Sequence, residues 1–411
     1  MDALIGNAIV GQSGGPTSAI NATLVGVIRA ASESKTIKKL YGMCHGIEGL
    51  LKNKIVDLTY LYKDCSGLDM MKNTPASALG SCRIRLPDML ADNEIYEKIF
   101  DIFKRYDIRY FFYIGGNDSM DTVKKLSEYA RLHHYDIRII GIPKTIDNDL
   151  FITDHTPGYG SCAKYIAVTI KEIAMDISVY SCDAVTVVEI MGRDSGWLTA
   201  SAGLPSYFGC EGADLIYLPE VPFDNEKFIK SLKAELSKKP SVLVAVSEGV
   251  RYSDGTYVGA SKQSNLKDAF GHQYLSGASR VLEQLVREEI GCKVRSIELS
   301  LPQRCASHLA SYTDICESEQ AGAYAVRCAE LGENGKMVIF KRIKEKYGIE
   351  LDCYDVCEIA NKIKYVPRSY INQEGNNVTK ECMEYIAPLI LGEPNIKYEN
   401  GLPVHFKIRG L

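Results

Sequence analysis

Short apolar runs alternate with segments of helical periodicity along much of this chain. The apolar runs predict buried strands at residues 7–10, 110–114, 138–142, 183–190, 241–246 and 296–302. Apolar positions three and four residues apart predict helices at residues 19–32, 95–105, 121–133 and 225–239. This strand–loop–helix order is typical of parallel sheets that carry helices on both faces.

Polar or glycine-rich clusters follow the carboxyl ends of most predicted strands. In open α/β sheets, ligands bind outside these ends. We therefore predict an α/β fold of two similar Rossmann-like, three-layer domains with mainly parallel sheets that face a shared cleft, plus a C-terminal extension. The expected first domain spans residues 1–160 and is completed by about 303–345. The second spans 161–302, and the extension, 346–411, packs on the core or at an interface.

Composition narrows the class of protein. The 411 residues suit two or three domains at about 150 residues each. With 48 basic and 52 acidic residues the net charge is -4, which argues against nucleic-acid or membrane partners. No apolar run is long enough to predict a transmembrane helix. The N-terminus is expected to form a strand and not a signal peptide.

The cysteine pattern indicates a reducing compartment. The chain has 13 cysteines, an odd number, and none forms a CxxC pair. Cys353 and Cys357 come closest to metal-ligand spacing, but no paired histidines accompany them, so no zinc site is expected. We expect free thiols and a cytoplasmic location.

A glycine pair in residues 13–21 (SGGPTSAIN) lies between a predicted strand and a predicted helix. Glycines let the backbone approach an anion, and a helix N-terminus offers free N–H groups. Gly14 and Gly15 are therefore candidate phosphate contacts, although the stretch is neither a Walker A loop nor a GxGxxG fingerprint. A tight turn without a ligand explains these residues equally well when they are considered alone.

A second glycine pair occurs in residues 115–119 (GGNDS). Asn117 and Asp118 supply oxygen ligands of the kind that Mg²⁺ prefers and usually shares with substrate phosphates. The alternative, which these residues alone favour, is that Asp118 or Ser119 caps a helix that begins near Asp121.

Residues 143–149 (PKTIDND) carry the most informative pattern. Asp147 and Asp149 would point the same way in an extended loop. One is expected to accept a proton from an attacking hydroxyl and the other to lie near a metal. Lys144 would neutralise a transferring phosphoryl group. The alternative is a solvated turn rich in Asn and Asp, and the two glycine pairs weigh against it.

Further charged groups adjoin the remaining strands. Arg193 follows Gly192 and is a candidate anion clamp, and Glu248 is a candidate acceptor for sugar hydroxyls. Arg295 and Arg304 flank the strand predicted at 296–302. Each charge alone is more often an ordinary surface group. Together, the clusters contain Lys, Arg, Asp and Gly but no Cys–His or Ser–His arrangement, and this composition indicates phosphoryl transfer.

These clusters, in this order, resemble those of the phosphofructokinase family over residues 9–307. The most specific matches are residues 144–149 and 191–197 (MGRDSGW). Within the family the chain resembles the pyrophosphate-dependent branch, because Asp118 and Lys144 stand where ATP-dependent enzymes typically have glycines. Asp118 would repel the α-phosphate of ATP, and Lys144 supplies positive charge for a donor without adenosine.

The resemblance implies a role for each matching residue. Asp147 is the expected base for the 1-hydroxyl of fructose 6-phosphate, with Lys144 and Asp118 as further catalytic groups. Mg²⁺ is the expected cofactor, bound by Asn117 and Asp149. The expected substrate contacts are Gly14, Gly15, Thr145, Asp147, Met191, Gly192, Arg193, Glu248, Arg295, Gln303 and Arg304.

The resemblance also implies an oligomer. Arg304 and Arg295 are expected to hold the 6-phosphate, and in relatives the second type of arginine reaches in from a neighbouring subunit. A homodimer or homotetramer is therefore expected.

Four positions depart from the family pattern. Asn117 replaces an Asp metal ligand, so Asp149 and the phosphates would carry more of the coordination. In bacterial ATP enzymes a His stands at the position of Leu301 and a phosphate-binding Arg at that of Ala184. Val25 replaces an Arg that helps to bind nucleotide effectors, which argues against allosteric control by nucleotides.

The leading hypothesis is Mg²⁺-dependent, near-reversible phosphoryl transfer from pyrophosphate to the 1-hydroxyl of fructose 6-phosphate, a glycolytic step. An ATP-dependent 6-phosphofructokinase is the alternative. A non-catalytic, phosphosugar-binding regulatory subunit is the alternative from another class. The joint presence of Asp147, Lys144 and Arg193 argues against such a subunit, because it need not keep a catalytic base.

Overall fold

The structure, a computed structural model, describes residues 4–259, 277–343 and 345–409. Its strands are β1 (Gly6–Gln12), β2 (Ile37–Met43), β3 (Ile55–Asp57), β4 (Ile108–Gly115), β5 (Arg138–Pro143), β6 (Ala184–Ile190), β7 (Leu215–Tyr217), β8 (Ser241–Ser247), β9 (Lys293–Glu298), β10 (Lys336–Arg342), β11 (Ile349–Asp355), β12 (Tyr398–Glu399) and β13 (Leu402–Pro403).

The α-helices are α1 (Ile20–Glu33), α2 (Gly46–Leu51), α3 (Cys65–Lys72), α4 (Glu94–Arg105), α5 (Asn117–Leu132), α6 (Tyr159–Ser178), α7 (Trp197–Ala200), α8 (Leu204–Tyr207), α9 (Asn225–Leu236), α10 (Ala278–Glu289), α11 (Pro302–Cys305), α12 (Tyr312–Glu330) and α13 (Lys380–Ile386). Single 3₁₀ turns cover Thr59–Lys63, Ser201–Gly203, Ser307–Leu309, Val356–Glu358, Arg368–Tyr370 and Ala387–Ile390.

Within the described ranges, the strands form two larger sheets and one small hairpin of β12 and β13. The seven-stranded sheet has the order β11-β10-β5-β4-β1-β2-β3 and is parallel except for its two edge strands. The four-stranded sheet, β7-β8-β6-β9, is parallel throughout. The predicted fold class is confirmed.

The central strands of both sheets, such as β4 and β8, are buried on both faces and are largely apolar. Along β1, Ala8 and Val10 join one hydrophobic core, whereas Ile9 joins the core on the opposite face. The second sheet separates its residues in the same way, with Val187 on one side and Val188 on the other. This alternation follows from the two-residue period of a strand.

Helices α1 and α12 cross in backbone contact on one face of the larger sheet. A Cβ on Gly26 would collide with the carbonyl oxygen of Glu319, and one on Gly322 would collide with that of Thr23. Glycine is therefore required at both positions for the helices to approach this closely.

Two predicted elements differ from the structure. Helix α5 begins at Asn117, four positions earlier than predicted. The strand predicted at 296–302 is wrong over its second half, because β9 ends at Glu298. The backbone then turns through Ser300, which has a φ of 46°, and enters α11.

The C-terminal extension contacts both halves of the molecule. Strand β11 pairs antiparallel with β10 at the edge of the larger sheet. Further along, Ile386 and Leu389 join the core beneath the smaller sheet. Between these two contacts the chain passes beside the residues that follow β5, where Leu150 and Ile363 form an isolated bridge.

The expectation that every cysteine is a free thiol is wrong for one pair. The sulfurs of Cys328 and Cys353 are bonded, and they join α12 to β11. The other cysteines are free thiols, and several, such as Cys162 and Cys382, are buried. No helix within the described residues has the length and apolar character needed to cross a membrane.

Candidate active site

A cleft of about 1090 Å³ lies at the carboxyl ends of the two larger sheets. The sequence-predicted residues that line it are Gly14, Gly15, Asn117, Asp118, Lys144, Thr145, Asp147, Asp149, Met191, Arg193, Glu248, Gln303 and Arg304. The convergence of these clusters follows from the parallel strands, whose carboxyl ends share one edge of each sheet.

The first glycine pair brings Lys144 against the backbone. Gly14 has a φ of 78°, and a Cβ there would lie 3.0 Å from Lys144 Nζ. Lys144 Nζ donates a hydrogen bond to the carbonyl oxygen of Gly15 at 2.8 Å. The lysine is only 3% exposed, and burial lowers its pKa to about 8 although Asp147 and Asp149 attract the proton. A positive group is thus fixed beside the glycine turn.

The loop after β5 presents both predicted carboxylates to the cleft. It is not simply extended, because Asn148 between them has a left-handed φ of 53°. Thr145 Oγ1 accepts a hydrogen bond from the backbone N–H of Asp147 at 3.1 Å. Burial raises the pKa of Asp147 against the effect of Lys144 and Arg193. Burial and then repulsion from Asp147 raise the pKa of Asp149 to about 7.

The second glycine pair starts α5 directly. Gly116 is the N-cap residue, so the predicted capping by Asp118 or Ser119 is wrong. Asp118 lies in the first turn, where negative charge is favourable, and its carboxylate is 3.4 Å from Arg85 Nη2. The Asn117 side chain accepts from the Asn361 N–H at 2.5 Å and donates to the Lys362 carbonyl at 2.8 Å. Its assignment as a metal ligand stays a prediction.

The residues after β6 and β8 form the other wall of the cleft. Gly192 lies just behind the lining and donates its N–H to Glu248 Oε1 at 3.3 Å. Burial raises the pKa of Glu248 to about 7 although this hydrogen bond opposes the shift. Gln303 is 1% exposed and accepts a hydrogen bond from the Met191 N–H at 3.2 Å. Arg193 Nε is buried and has no hydrogen-bond partner within the described structure.

The arginines divide into two groups. Arg304 Nη1 lies 3.4 Å from the position that a Cβ would take on Gly15, so this side chain reaches the glycine turn. Burial and then the positive charge of Arg83 lower the pKa of Arg304. Arg295, by contrast, is exposed in the middle of the edge strand β9 and does not line the described cleft.

The cleft is also lined by residues that the sequence patterns did not predict. Arg83 and Arg85 line it although they follow no predicted strand. Their alternation with apolar residues in 82–86 (CRIRL) is a signal that could have drawn attention to them. Asn361 and Ile363, from the C-terminal extension, line it as well.

Comparison with known proteins identifies the family. The sequence profile described as "Phosphofructokinase" matches residues 7–329. This chain belongs to the phosphofructokinase family. It is 38% identical over 401 residues to the pyrophosphate–fructose 6-phosphate 1-phosphotransferase of Halomonas elongata, covering 97% of this chain and 94% of the relative. The enzyme of the same name from Xanthomonas campestris is 35% identical, covering 99% and 97%.

A solved structure supports the same grouping. The crystal structure of pyrophosphate-dependent phosphofructokinase from Nitrosospira multiformis matches with a TM-score of 0.89 and 35% identity. The match covers 99% of this chain and 97% of that one. The C-terminal extension, beyond the 7–329 match to the phosphofructokinase profile, is thus included in the match to this solved structure.

Three positions that depart from the phosphofructokinase pattern differ from one another in burial and in distance from the cleft. Ala184 starts β6, roughly 20 Å of strand away from Met191, so a charge there would lie far from this chain's cleft. Val25 is fully buried in a hydrophobic core, where no charged effector contact is available. Leu301 lines the cleft and is 53% exposed.

Proposed function

We propose that this protein is an enzyme that transfers a phosphoryl group between pyrophosphate and the 1-hydroxyl of fructose 6-phosphate. The observation that carries the proposal is the arrangement at one end of the cleft. There Lys144 is held against Gly15, and Asp118 is paired with Arg85 at the start of α5. A short, highly charged donor suits this end, whereas Asp118 repels the α-phosphate of a nucleotide.

Proton transfer is assigned to Asp147. In the forward direction its carboxylate accepts the proton of the sugar 1-hydroxyl as that oxygen attacks phosphorus. The new bond joins the sugar oxygen to phosphorus, the bridging P–O bond of pyrophosphate breaks, and inorganic phosphate leaves. Lys144 and Arg304 lie where they can stabilise the negative charge of this transition state.

The opposite wall is assigned to the sugar phosphate. The raised pKa of Glu248 suits a carboxyl group that exchanges hydrogen bonds with hydroxyls. Among the described residues, Arg193 Nε is buried and has no hydrogen-bond partner, and an anionic ligand would supply one. Thr145, Met191, Gly192 and Gln303 shape the same part of the cleft.

Mg²⁺ is the proposed cofactor. Within the described ranges, no three His, Cys, Asp or Glu side chains cluster as a self-sufficient metal site. That fits Mg²⁺, which commonly takes only one or two carboxylates together with substrate phosphates and water. Asp149 is the proposed carboxylate ligand, because a cation would relieve the repulsion from Asp147 that helps to raise its pKa, while Asp147 keeps the role of proton acceptor. When bound, the ion would neutralise phosphate charge; Asn117 is the weaker candidate because its side chain is already hydrogen-bonded.

We further propose a homodimer or homotetramer in the cytoplasm. Arg295 supports the oligomer, because it is exposed on an edge strand and outside its own chain's cleft. A neighbouring subunit would receive this arginine at its sugar 6-phosphate. The cytoplasmic location rests on the composition and on the mostly free cysteines.

A coupled assay tests the donor. Purified protein is supplied with fructose 6-phosphate, Mg²⁺ and, in turn, pyrophosphate, ATP or polyphosphate. We expect turnover with pyrophosphate and little with ATP. Comparable rates with ATP at equal concentration would contradict the donor assignment and favour the ATP-dependent alternative. No turnover with any donor, together with retained binding of fructose 6-phosphate, would indicate a regulatory subunit.

A further inference from the structure

Lys364, in the C-terminal extension, lies beside the loop that carries both cleft carboxylates. Its Nζ donates hydrogen bonds to Asn148 Oδ1 at 3.0 Å, to the Thr153 carbonyl at 3.2 Å and to the Asp154 carbonyl at 2.6 Å. In its charged form this side chain has three donors, so these contacts use all of them; burial lowers its pKa to about 7, against the attraction of Asp154 and Asp149. Lys364 does not line the cleft, and its side chain therefore acts on the loop and not on a ligand.

Asn148 is the residue on which this contact acts. It is fully buried and adopts a left-handed φ of 53°, which costs free energy for a residue other than glycine. Both ends of its amide are held by the extension, because Nδ2 donates to the Tyr385 hydroxyl at 2.9 Å. The Tyr385 hydroxyl in turn donates to the Asp154 carbonyl at 2.6 Å.

The backbone of Lys364 makes further contacts with both sides of the cleft. Its N–H donates to the Asp149 carbonyl at 2.8 Å. Its carbonyl accepts from Trp197 Nε1 at 2.9 Å, and its Nζ lies 5.3 Å from the centre of the Trp197 ring. Trp197 begins α7, directly after the loop that follows β6. One residue therefore ties the carboxylate loop to the opposite wall.

We propose that Lys364 is a positioning residue for phosphoryl transfer: it holds Asn148 left-handed and thereby directs Asp147 and Asp149 into the cleft. This inference rests on the proposed function for its readout. Phosphoryl transfer depends on alignment, and a misplacement of about 1 Å can cost on the order of 100-fold in rate. Loss of Lys364 should therefore lower kcat more than it weakens substrate binding.

The test compares Lys364→Met with Lys362→Met. Lys362 is a matched control in the same segment, because it is exposed and its Nζ pairs with Glu358 at 2.9 Å. For Lys364→Met we expect kcat to fall about 10- to 100-fold, with KM for both substrates within about threefold of wild type. Lys362→Met should keep kcat within about twofold. Circular dichroism establishes that each variant is folded at the assay temperature.

A second background separates positioning from a general loss of structure. A glycine at position 148 adopts a positive φ without hydrogen bonds from Lys364 and Tyr385. When Lys364→Met is added to Asn148→Gly, kcat should therefore change by less than about threefold. An equal kcat loss in both backgrounds overturns the proposal. So does a Lys364→Met kcat within twofold of wild type, or an effect confined to KM.

If Lys364→Met does not fold, Tyr385→Phe carries the test. It removes the other hydrogen bond to Asn148, and we expect kcat to fall about 3- to 10-fold with unchanged KM; an unchanged kcat overturns the proposal. The donor assay on the wild-type protein distinguishes failure of the proposed function from failure of the positioning role of Lys364. If wild type uses a donor other than pyrophosphate, the proposed function fails, and the same variants measured with that donor still test Lys364.

Discussion

At the scale of single residues, the cleft holds opposite charges close together in a partly buried space. Burial moves the pKa of Asp147 up and that of Lys144 down, to about 8. A carboxyl group with a raised pKa is a better proton acceptor than an ordinary aspartate at neutral pH. The burial that makes the Asp147 carboxylate costly to fold therefore suits it to the proposed role of proton acceptor.

Replacing the base tests this directly. If Asp147 is the base, Asp147→Ala should lower kcat by at least about two orders of magnitude, because general-base catalysis is then lost. Binding of fructose 6-phosphate should be largely kept, since the contacts proposed for the 6-phosphate are arginines and not Asp147. Steady-state kinetics and calorimetric titration measure the two quantities. A variant with near-normal turnover would exclude Asp147 as the base.

Glu248 gives a pH-dependent contribution to stability. Burial raises its pKa from 4.5 to about 7, so its contribution is fully present below about pH 4.5 and is lost as the pH rises through 7. Glu248→Gln stays neutral and should gain stability relative to wild type between pH 5 and 8, by roughly 1–3 kcal/mol given the partial exposure of the group. Denaturant unfolding without substrates measures the difference. A pH-independent difference would show that Glu248 ionises normally.

A separate prediction concerns Asp118 and Lys144, at the end of the cleft assigned to the phosphoryl donor. Replacing both Asp118 and Lys144 by glycine removes the repulsion and the bulk that act against the α-phosphate of a nucleotide. We expect the double variant to gain measurable ATP-dependent turnover and to lose much of its pyrophosphate activity. ATP titration of the variant and of wild type provides the comparison. Unimproved ATP binding would mean that other parts of the pocket decide donor choice.

At the scale of elements, sequence patterns located strands better than they located turns. The strand at 138–142 was predictable from its branched apolar run, and it appears as Arg138–Pro143. The end of β9 was not, because residues 299–302 are as apolar as a strand while the backbone turns at Ser300. Helix α5 begins early because Gly116 caps it, and a side-chain cap was expected.

The same distinction applies to the site. Lys144, Asp147 and Arg193 were predictable because each lies within four residues of the end of a buried strand. Arg83, Arg85 and residues 361–363 were not, because only tertiary contacts bring them to the cleft. The Cys328–Cys353 bond likewise depends on the packing of α12 against β11, and no local sequence pattern predicts that contact.

The crossing of α1 and α12 is an element-scale contact that can be tested. Gly322→Ala would place a methyl group against the Thr23 carbonyl, so the helices must separate. We expect a loss of roughly 2 kcal/mol or more in the free energy of unfolding. Gly348→Ala is the control, because its nearest neighbour is the flexible end of Ile343 at 3.3 Å. Equal stability of the two variants would contradict the close crossing.

At the scale of the whole molecule, the cleft of one chain lacks the arginine that the family resemblance assigns to it. Arg295 lies on the exposed edge strand of the smaller sheet. If it serves a neighbouring subunit, each complete site contains side chains from two chains. Assembly is then a condition for tight binding of the sugar phosphate.

Subunit mixing tests this arrangement. Arg295→Ala should raise KM for fructose 6-phosphate, and Asp147→Ala should be inactive. Refolded together at equal amounts, the two variants can form hybrid dimers in which one site has both residues. At low fructose 6-phosphate we expect up to about a quarter of wild-type activity for random dimers. Activity equal to the average of the separate variants would place Arg295 in its own chain's site or in no site.

The contact between Lys364 and Asn148 also has a consequence for the timing of synthesis. The two residues are 216 positions apart. At a synthesis rate of about 5–20 residues per second, Lys364 is added on the order of 10–40 s after Asn148. By the end of that interval the nascent chain carries Lys144, Asp147, Arg193 and Arg304. A polypeptide released before Lys364 is added would hold these side chains without their alignment, so catalysis would begin only once translation has passed this point.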